Sequence, residues 1–192
     1  MKKQVKGIVK NELLITKSKF ITYLFPVSSI EEIKEKLNEY KEKYKDATHI
    51  CYSYILDENT FKYYDDGEPS STAGAPIYQV LNGNDLIYTM CVVVRYFGGT
   101  KLGVGGLVKA YSNSCIEALS KATIIDYENL DTYLLTIDYS LYDKIEYFSK
   151  NNNIEIVNKT FEEKIHLKIK TNKKGLDLLQ DTFSYNIQIT KL

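Results

Sequence analysis

The sequence predicts a mixed α/β (α+β) protein of two domains, residues 1–128 and 129–192. Two observations support this fold class. In the first part, runs rich in β-branched and aromatic residues alternate with amphipathic helical segments and a glycine-rich loop. In the second part, the predicted order β-α-β-β-α-β is typical of a ferredoxin-like unit. The charges balance on both sides of this boundary, so neither part is a basic domain.

Hydrophobic periodicity and capping signals predict the elements of the first domain. Residues 18–27 predict a strand that ends at Pro26. Ser28 and Ser29 then open a helix, because each is followed three residues later by a glutamate, as in a capping box. The apolar run 91–94 is typical of a strand buried inside a sheet. The remaining predictions are a strand at 47–56, a polar loop at 57–69, a helix at 70–82, a strand at 86–97 and a helix at 105–122.

The second domain is predicted in the same way. Its strands are expected at 130–139, 154–161, 164–171 and 185–192, with helices at 142–152 and 173–183. In the third of these strands, a period of two places Ile165, Leu167 and Ile169 on the core face. The opposite face then carries the candidate nucleic-acid-binding residues Lys164, His166, Lys168 and Lys170. A row of ammonium groups there can follow a phosphate backbone. The alternative is that these lysines only keep an exposed sheet soluble and discourage edge pairing.

Composition excludes several classes of protein. Lys plus Arg and Asp plus Glu both total 25, so bulk charge does not hold this chain on nucleic acid or anionic lipid. The hydrophobic fraction of 44% indicates a folded globular protein. The three cysteines lack a C-x-x-C pair, which favours reduced thiols over disulfides or a zinc site. We therefore expect no metal and no cofactor.

The sequence also indicates where the protein works. No stretch approaches the roughly 20 apolar residues of a membrane span, so we expect no membrane partner. The basic residues at positions 2–6 are not followed by the apolar region of a signal peptide. These features predict a cytoplasmic protein. Its oligomeric state is left open.

A glycine-rich loop at 98–106 lies between a predicted buried strand and a predicted helix. In this arrangement backbone N–H groups and the helix dipole can hold an anion. The candidate phosphate-binding residues are Arg95, Gly98, Gly99, Lys101, Gly103, Gly105, Gly106 and Lys109. Neither G-x-x-x-x-G-K-[ST] nor a complete G-x-G-x-x-G is present. The alternative is that these glycines only permit close packing and turns with positive φ.

An acidic loop contributes a second group of candidates. Three carboxylates within four residues, 65–68, can bind Mg²⁺ or serve as acid and base. The simpler interpretation is an Asp-Gly turn followed by a Ser or Thr that caps the next helix. The candidate cleft residues are His49, Asp65, Asp66, Glu68, Ser70 and Thr72. His49 belongs to this group only if the fold brings it close to the acidic loop.

Three strings of residues resemble the YigZ/IMPACT family. The first is Thr48-His49-Ile50-Cys51-Tyr52, and the second is Asp65-Asp66-Gly67-Glu68-Pro69-Ser70 with Thr72-Ala73-Gly74 and Pro76-Ile77. The third is Arg95-Tyr96-Phe97-Gly98-Gly99, continuing through Lys101-Leu102-Gly103 and Gly105-Gly106-Leu107-Val108 to Ala110-Tyr111. The resemblance implies an N-terminal α/β sandwich domain like the second domain of a small-subunit ribosomal protein. It also implies a C-terminal ferredoxin-like domain resembling the last domain of elongation factor G. Lys109 replaces a frequent arginine of the family, which keeps the charge but loses bidentate phosphate geometry.

This resemblance implies a translation-associated regulatory protein that binds RNA, the ribosome or a phosphate-bearing ligand such as a nucleotide, without catalysis. One alternative is a kinase-like or hydrolase-like enzyme acting on a phosphorylated small molecule, and another is a protein-interaction adaptor. The eukaryotic branch of the family carries an extra N-terminal domain that contacts regulators of a translation-control kinase. We do not expect that partner here.

Overall fold

The computed structural model describes residues 2–192, except for the side chain of Tyr185. The chain forms two compact units that divide between Tyr127 and Glu128. Helices and strands are mixed in both units. The mixed α/β class and the two-domain architecture predicted from the sequence are therefore confirmed.

The N-terminal domain is built on a five-stranded antiparallel sheet. Its elements are β1 (Lys3–Lys6), β2 (Val9–Ile15), β3 (Ser18–Pro26), α1 (Ile30–Lys43), β4 (His49–Ile55), β5 (Phe61–Tyr64), α2 (Gly74–Gly83), β6 (Thr89–Tyr96), α3 (Gly103–Ser120) and β7 (Thr123–Asp126). The strand order in the sheet is β2-β3-β6-β4-β5. The strands β1 and β7 pair separately as a two-stranded ribbon.

The central strand β6 is buried on both faces of the sheet, which explains its continuous apolar run. Met90 and Val92 belong to the core that α1 covers, and Cys91 and Val93 belong to the core that α2 and α3 cover. Because side chains alternate along a strand, Arg95 emerges on the same face as Val93. The sheet therefore carries one charged side chain into the end of the core beneath α3.

Two predictions for this domain are wrong in detail. The segment 57–69 is not wholly a loop, because it contains β5, an edge strand with every residue exposed. A strand exposed on both faces has no apolar alternation that would reveal it. The helix expected from residue 70 begins at Gly74. The strands β1, β2 and β7 were not predicted.

The C-terminal domain has the ferredoxin-like order that the sequence predicts. Its elements are β8 (Asp131–Ile137), a 3-10 turn (Tyr139–Leu141), α4 (Tyr142–Asn151), β9 (Glu155–Phe161), β10 (Ile165–Thr171), α5 (Lys173–Phe183), a second 3-10 turn (Ser184–Asn186) and β11 (Ile187–Lys191). The sheet order is β11-β8-β10-β9, and all neighbours are antiparallel. Ile165, Leu167 and Ile169 are buried, so the predicted core face of β10 is confirmed. No helix within residues 2–192 is long and apolar enough to cross a bilayer.

Candidate functional site

A cavity of about 420 Å³ lies in the N-terminal domain, where β4 begins and β6 ends. His49 and Arg95 are directly opposite each other in the β4–β6 pairing, so the register of the sheet places both at this edge. The polar lining consists of Thr48, His49, Glu68, Arg95 and Lys101. The rest of the lining is Pro69, Phe97, Leu102, Gly103, Val104 and Leu107. The loops after β5 and β6 and the start of α3 therefore meet around one space.

The wall of this cavity is held by a buried ion pair. Arg95 Nη1 donates to Glu68 Oε1 at 2.6 Å, and Nη2 donates to Ser18 Oγ at 3.3 Å. The side chains of Arg95 and Glu68 are only 5% and 3% exposed. A buried ion pair is tolerated when other hydrogen bonds complete it. The Ser18 hydroxyl serves the guanidinium in this way.

Side chains from α3 and β4 add further hydrogen bonds around the Glu68 carboxylate. The Tyr111 hydroxyl donates to Glu68 Oε1 at 2.7 Å. The Cys51 thiol donates to the Asp65 carbonyl at 3.0 Å, and its sulfur lies 3.4 Å from the Tyr111 oxygen. Burial raises the pKa of the Tyr111 hydroxyl and the pKa of the Cys51 thiol well above their ordinary values. Both groups therefore remain protonated donors. A protonated, buried thiol is a poor nucleophile, so Cys51 has a structural role.

His49 is fixed by the acidic loop. Its Nδ1 lies 2.7 Å from the carbonyl oxygen of Asp66. Because a carbonyl oxygen only accepts, Nδ1 carries the proton. Nε2 then faces Glu68 Oε2 at 3.8 Å. The fold therefore brings His49 next to the acidic loop, which the sequence left conditional.

Asp65 and Asp66 bond to the backbone rather than lining the cavity. Asp65 accepts from the N–H groups at the start of α2, those of Ser71 at 2.8 Å, Ala73 at 3.0 Å and Gly74 at 2.8 Å. Asp66 accepts from the Ile50 N–H at 2.6 Å. The expectation that a Ser or Thr caps α2 is wrong, because Asp65 accepts from the N–H groups of Ala73 and Gly74, eight and nine residues later in the chain.

The Asp-Gly turn in the same loop is confirmed. The Glu68 N–H donates to the Asp65 carbonyl at 3.0 Å, and both central residues have positive φ, 46° for Asp66 and 83° for Gly67. This turn is what directs Glu68 into the core. Among the described residues, no group of three or more His, Cys, Asp or Glu side chains is arranged to hold a metal ion.

The glycine loop combines close packing with an open helix terminus. A Cβ at Gly98 would lie 2.0 Å from the Lys17 carbonyl carbon, so only glycine fits against the β2–β3 turn. In contrast, α3 begins at Gly103 with no side-chain cap and no acidic residue in its first turn. The first N–H groups of a helix lack intrahelical partners and carry the positive end of its dipole. The exposed Lys101 lies two residues before this terminus.

The cavity brings together only part of the predicted site. The candidates that line it are His49, Glu68, Arg95, Lys101 and Gly103. Those that do not line it are Asp65, Asp66, Ser70, Thr72, Gly98, Gly99, Gly105, Gly106 and Lys109. Thr72 instead donates to the Pro69 carbonyl at 2.7 Å, and Lys109 is exposed on the second turn of α3.

The candidates from the sequence did not include four contributors to this site: Ser18, Thr48, Phe97 and Tyr111. The sequence does carry one signal for the location of the site: Arg95 is the single arginine among 25 basic residues. A planar guanidinium in a lysine-rich chain indicates a position where a fixed fork of donors is needed. Tyr111 ends the third string that resembles the YigZ/IMPACT family, but its position on the apolar face of a helix predicts an ordinary core residue.

The open face of the C-terminal sheet carries part of the second predicted site. Lys168 and Lys170 are exposed on β10, and His166 Nδ1 lies 3.0 Å from Thr136 Oγ1. Lys164 precedes the strand and pairs with Asp138 at 3.5 Å. The basic row along the strand is therefore shorter than the sequence indicated.

Comparison with known proteins agrees with this architecture. Residues 16–119 match the Impact N-terminal domain, and residues 135–184 match a domain of unknown function, DUF1949. IMPACT family member YvyE of Bacillus subtilis is 41% identical over 144 residues, which cover 74% of this chain and 66% of that protein. An IMPACT family member of Haemophilus influenzae is 32% identical over 176 residues, covering 90% of this chain and 85% of the relative.

A solved crystal structure, described as that of a hypothetical protein, extends the similarity to both domains. It is 29% identical, covers 100% of this chain and 98% of its own, and superposes with a TM-score of 0.70. The Impact N-terminal domain match covers more than half of this chain, and the crystal structure covers both of its units. The chain belongs to the IMPACT family.

Proposed function

We propose that this chain is a translation-associated regulatory protein that binds RNA through a phosphate-bearing nucleotide in the N-terminal cavity. The observation that carries the proposal is the meeting of a basic side chain, an uncapped helix terminus and an exposed aromatic ring around one space. Its volume falls within the range of ligand sites, roughly 300–1,000 Å³.

The phosphate end of the ligand is assigned to Lys101 and the start of α3. Lys101 is exposed and lines the cavity beside Gly103, the first residue of the helix. A helix N-terminus attracts phosphate because its N–H groups lack partners and its dipole is positive there. Arg95 contributes less directly, because Glu68 already neutralises its charge. It holds the cavity wall in place.

The base end is assigned to Phe97, which follows β6 and is 45% exposed. The Arg95 guanidinium lies 5.5 Å from the centre of this ring, which fixes the ring from one side. A supported and exposed aromatic ring is a stacking platform for an unpaired base. The combination favours single-stranded RNA over a duplex, because bases in a duplex are already stacked.

The link to translation rests on membership in the IMPACT family, for which the resemblance implies translation-associated regulation. In the C-terminal domain, Lys168 and Lys170 offer a second, sequence-independent contact for a phosphate backbone. The enzyme alternative relied on the acidic loop. Its Asp65 and Asp66 carboxylates are instead bonded to backbone N–H groups.

Fluorescence anisotropy with a short single-stranded RNA at several salt concentrations tests this proposal. Lys101→Gln should weaken binding and lower the slope of log affinity against log salt by about 0.7, the value for one lost phosphate contact on a single strand. The matched control is Lys34→Gln, which removes an exposed lysine from α1 and should leave the slope unchanged. Absence of RNA binding by the unaltered protein would contradict the proposal.

A further inference from the structure

We propose that the cavity selects guanine among the RNA bases, an inference that rests on the proposed function. The basis is a pair of hydrogen-bond acceptors in the polar wall, Glu68 Oε2 and His49 Nε2, which lie 3.8 Å apart. Both residues line the cavity. A ligand that presents two adjacent donors fits between them.

The orientation of the carboxylate is set by its other oxygen. Oε1 accepts from both Arg95 Nη1 and the Tyr111 hydroxyl, which holds the group in one position. Within residues 2–192, no group donates a hydrogen bond to Oε2, which lies 3.8 Å from His49 Nε2. A nearly buried carboxylate oxygen without a donor is costly unless a ligand or water supplies one.

His49 Nε2 is the second acceptor, and the hydrogen bond of the other ring nitrogen makes it one. Its Nδ1 proton is committed to the Asp66 carbonyl, so in the neutral ring Nε2 has only a lone pair to offer. The wall therefore presents two acceptors side by side, one of them charged.

Guanine is the RNA base whose pairing edge has two adjacent donors, the N1–H and the N2 amino group. Adenine and cytosine each place a ring nitrogen acceptor beside their amino group. Uracil flanks its single N–H with two carbonyl oxygens. Each of these three bases would bring a lone pair against the acceptor pair and leave a buried polar atom without a partner, which is how a site rejects an analogue.

The remaining walls fit a planar base. Phe97 supplies an exposed ring, and Leu102 and Leu107 line the same cavity. Lys101 and the start of α3 remain for the phosphate. The arrangement thus divides the nucleotide into a stacked and hydrogen-bonded base and an electrostatically held phosphate.

The test varies the ligand, because Glu68 also neutralises the buried Arg95 and substituting it threatens the fold. Isothermal titration calorimetry on the full chain compares the 5′-monophosphates of guanosine, inosine, adenosine, cytidine and uridine. The inosine nucleotide keeps the N1–H and lacks only the N2 amino group. We expect the guanosine nucleotide to bind about 10- to 100-fold more tightly than the adenosine nucleotide, with inosine between them.

A variant assigns the binding to this cavity. Phe97→Ala should weaken the binding of the guanosine nucleotide. Phe61→Ala, which removes a similarly exposed ring from β5, should leave this binding unchanged. Equal binding of all five nucleotides, or binding that Phe97→Ala leaves unchanged, would overturn the guanine assignment while leaving RNA binding intact. If neither the nucleotides nor the RNA binds, both this inference and the proposed function are wrong.

Discussion

Arg95 and Glu68 form the pair around which the other groups of the site are arranged. Ser18, Tyr111 and His49 approach these two side chains from β3, α3 and β4. Taking either charge away leaves the other buried without compensation, which costs far more than the pair contributes when intact. The pair therefore links the stability of the domain to the shape of the cavity.

Arg95→Gln should destabilise the N-terminal domain by about 3–5 kcal/mol, because it leaves the Glu68 carboxylate buried and unpaired. Arg95→Lys keeps the charge but loses the guanidinium fork that reaches Glu68 and Ser18 together. Its loss in the free energy of unfolding should therefore be smaller than that of Arg95→Gln. Urea unfolding followed by circular dichroism measures both. Lys101→Gln, at the exposed edge of the cavity, should change the free energy of unfolding by less than about 0.5 kcal/mol. A loss below about 1 kcal/mol for Arg95→Gln would contradict this role.

Asp65→Ala should lower the free energy of unfolding by about 1–2 kcal/mol, because the first N–H groups of α2 lose their acceptor. Asp65→Asn keeps one acceptor oxygen and should lose less. Both variants should retain RNA affinity, since Asp65 does not line the cavity. The same unfolding experiment gives the stabilities.

Metal-dependent phosphotransfer by the unaltered protein, abolished in Asp66→Asn, would favour the enzyme alternative instead.

Among the elements of the structure, the glycine loop and the face of β10 carry the two functional hypotheses. In the loop, close packing and the open helix terminus occupy different residues. Gly98 packs against the backbone of Lys17, whereas a Cβ at Gly105 would meet nothing within 4 Å. The two interpretations of this loop can therefore be separated with a single type of substitution.

Gly98→Ala should destabilise the domain by about 1–3 kcal/mol, because the added methyl group forces the β2–β3 turn to move. Gly105→Ala should instead stabilise it by about 0.5–1 kcal/mol, since alanine is the better helix former and finds open space. Thermal unfolding of the two variants measures the contrast. Equal effects of the same sign would contradict the close packing of Gly98 and the open space beside Gly105.

On the C-terminal sheet, changing Lys168 and Lys170 together to Gln should reduce the salt slope of RNA binding by about 0.7 for each lost phosphate contact. Lys164 is left unchanged because Asp138 pairs with it. The control changes Lys144 and Lys173, two exposed lysines at helical positions, to Gln. An unchanged slope in the β10 variant, with RNA binding retained, would restrict the site to the N-terminal domain.

At the scale of the whole molecule, the division of the sheets and cores between two parts of the chain indicates two folding units. The N-terminal unit is closed by its own ends, because Lys3 in β1 pairs with Asp126 in β7. Val5 in the same ribbon is 1% exposed and belongs to the main core. Removing β7 should therefore damage the core of this unit even though the residues of β7 are themselves exposed.

Fragments 1–128 and 129–192 should each unfold cooperatively, because each contains a complete sheet with its covering helices. Fragment 1–122 lacks β7 and should be less stable than 1–128. Limited proteolysis of the full chain, read by mass spectrometry, should cut first near the boundary at 126–131. A first cut inside 86–120 would contradict the division into two units.

Local pattern was sufficient for the class of the fold, for the order of elements in the C-terminal domain and for the buried face of β10. These features repeat over a few residues, so a short window of sequence contains them. The same patterns did not reveal β1, β2, β5 and β7. The strands β1 and β7 form the ribbon that joins the ends of the N-terminal unit, and β2 and β5 are the edges of its sheet. Every residue of β5 and β7 is exposed, so neither has an apolar alternation of its own.

The site itself depended on contacts between distant parts of the chain. Glu68 meets Arg95 across 27 residues and Tyr111 across 43, and Arg95 reaches Ser18 across 77. The residue types were visible in the sequence, which is why His49, Glu68, Arg95 and Lys101 were among the candidates. Their separation from Asp65, Asp66 and Lys109 was not visible there. Strand register and turn geometry decide which side chains converge, and both arise only when the sheet has assembled.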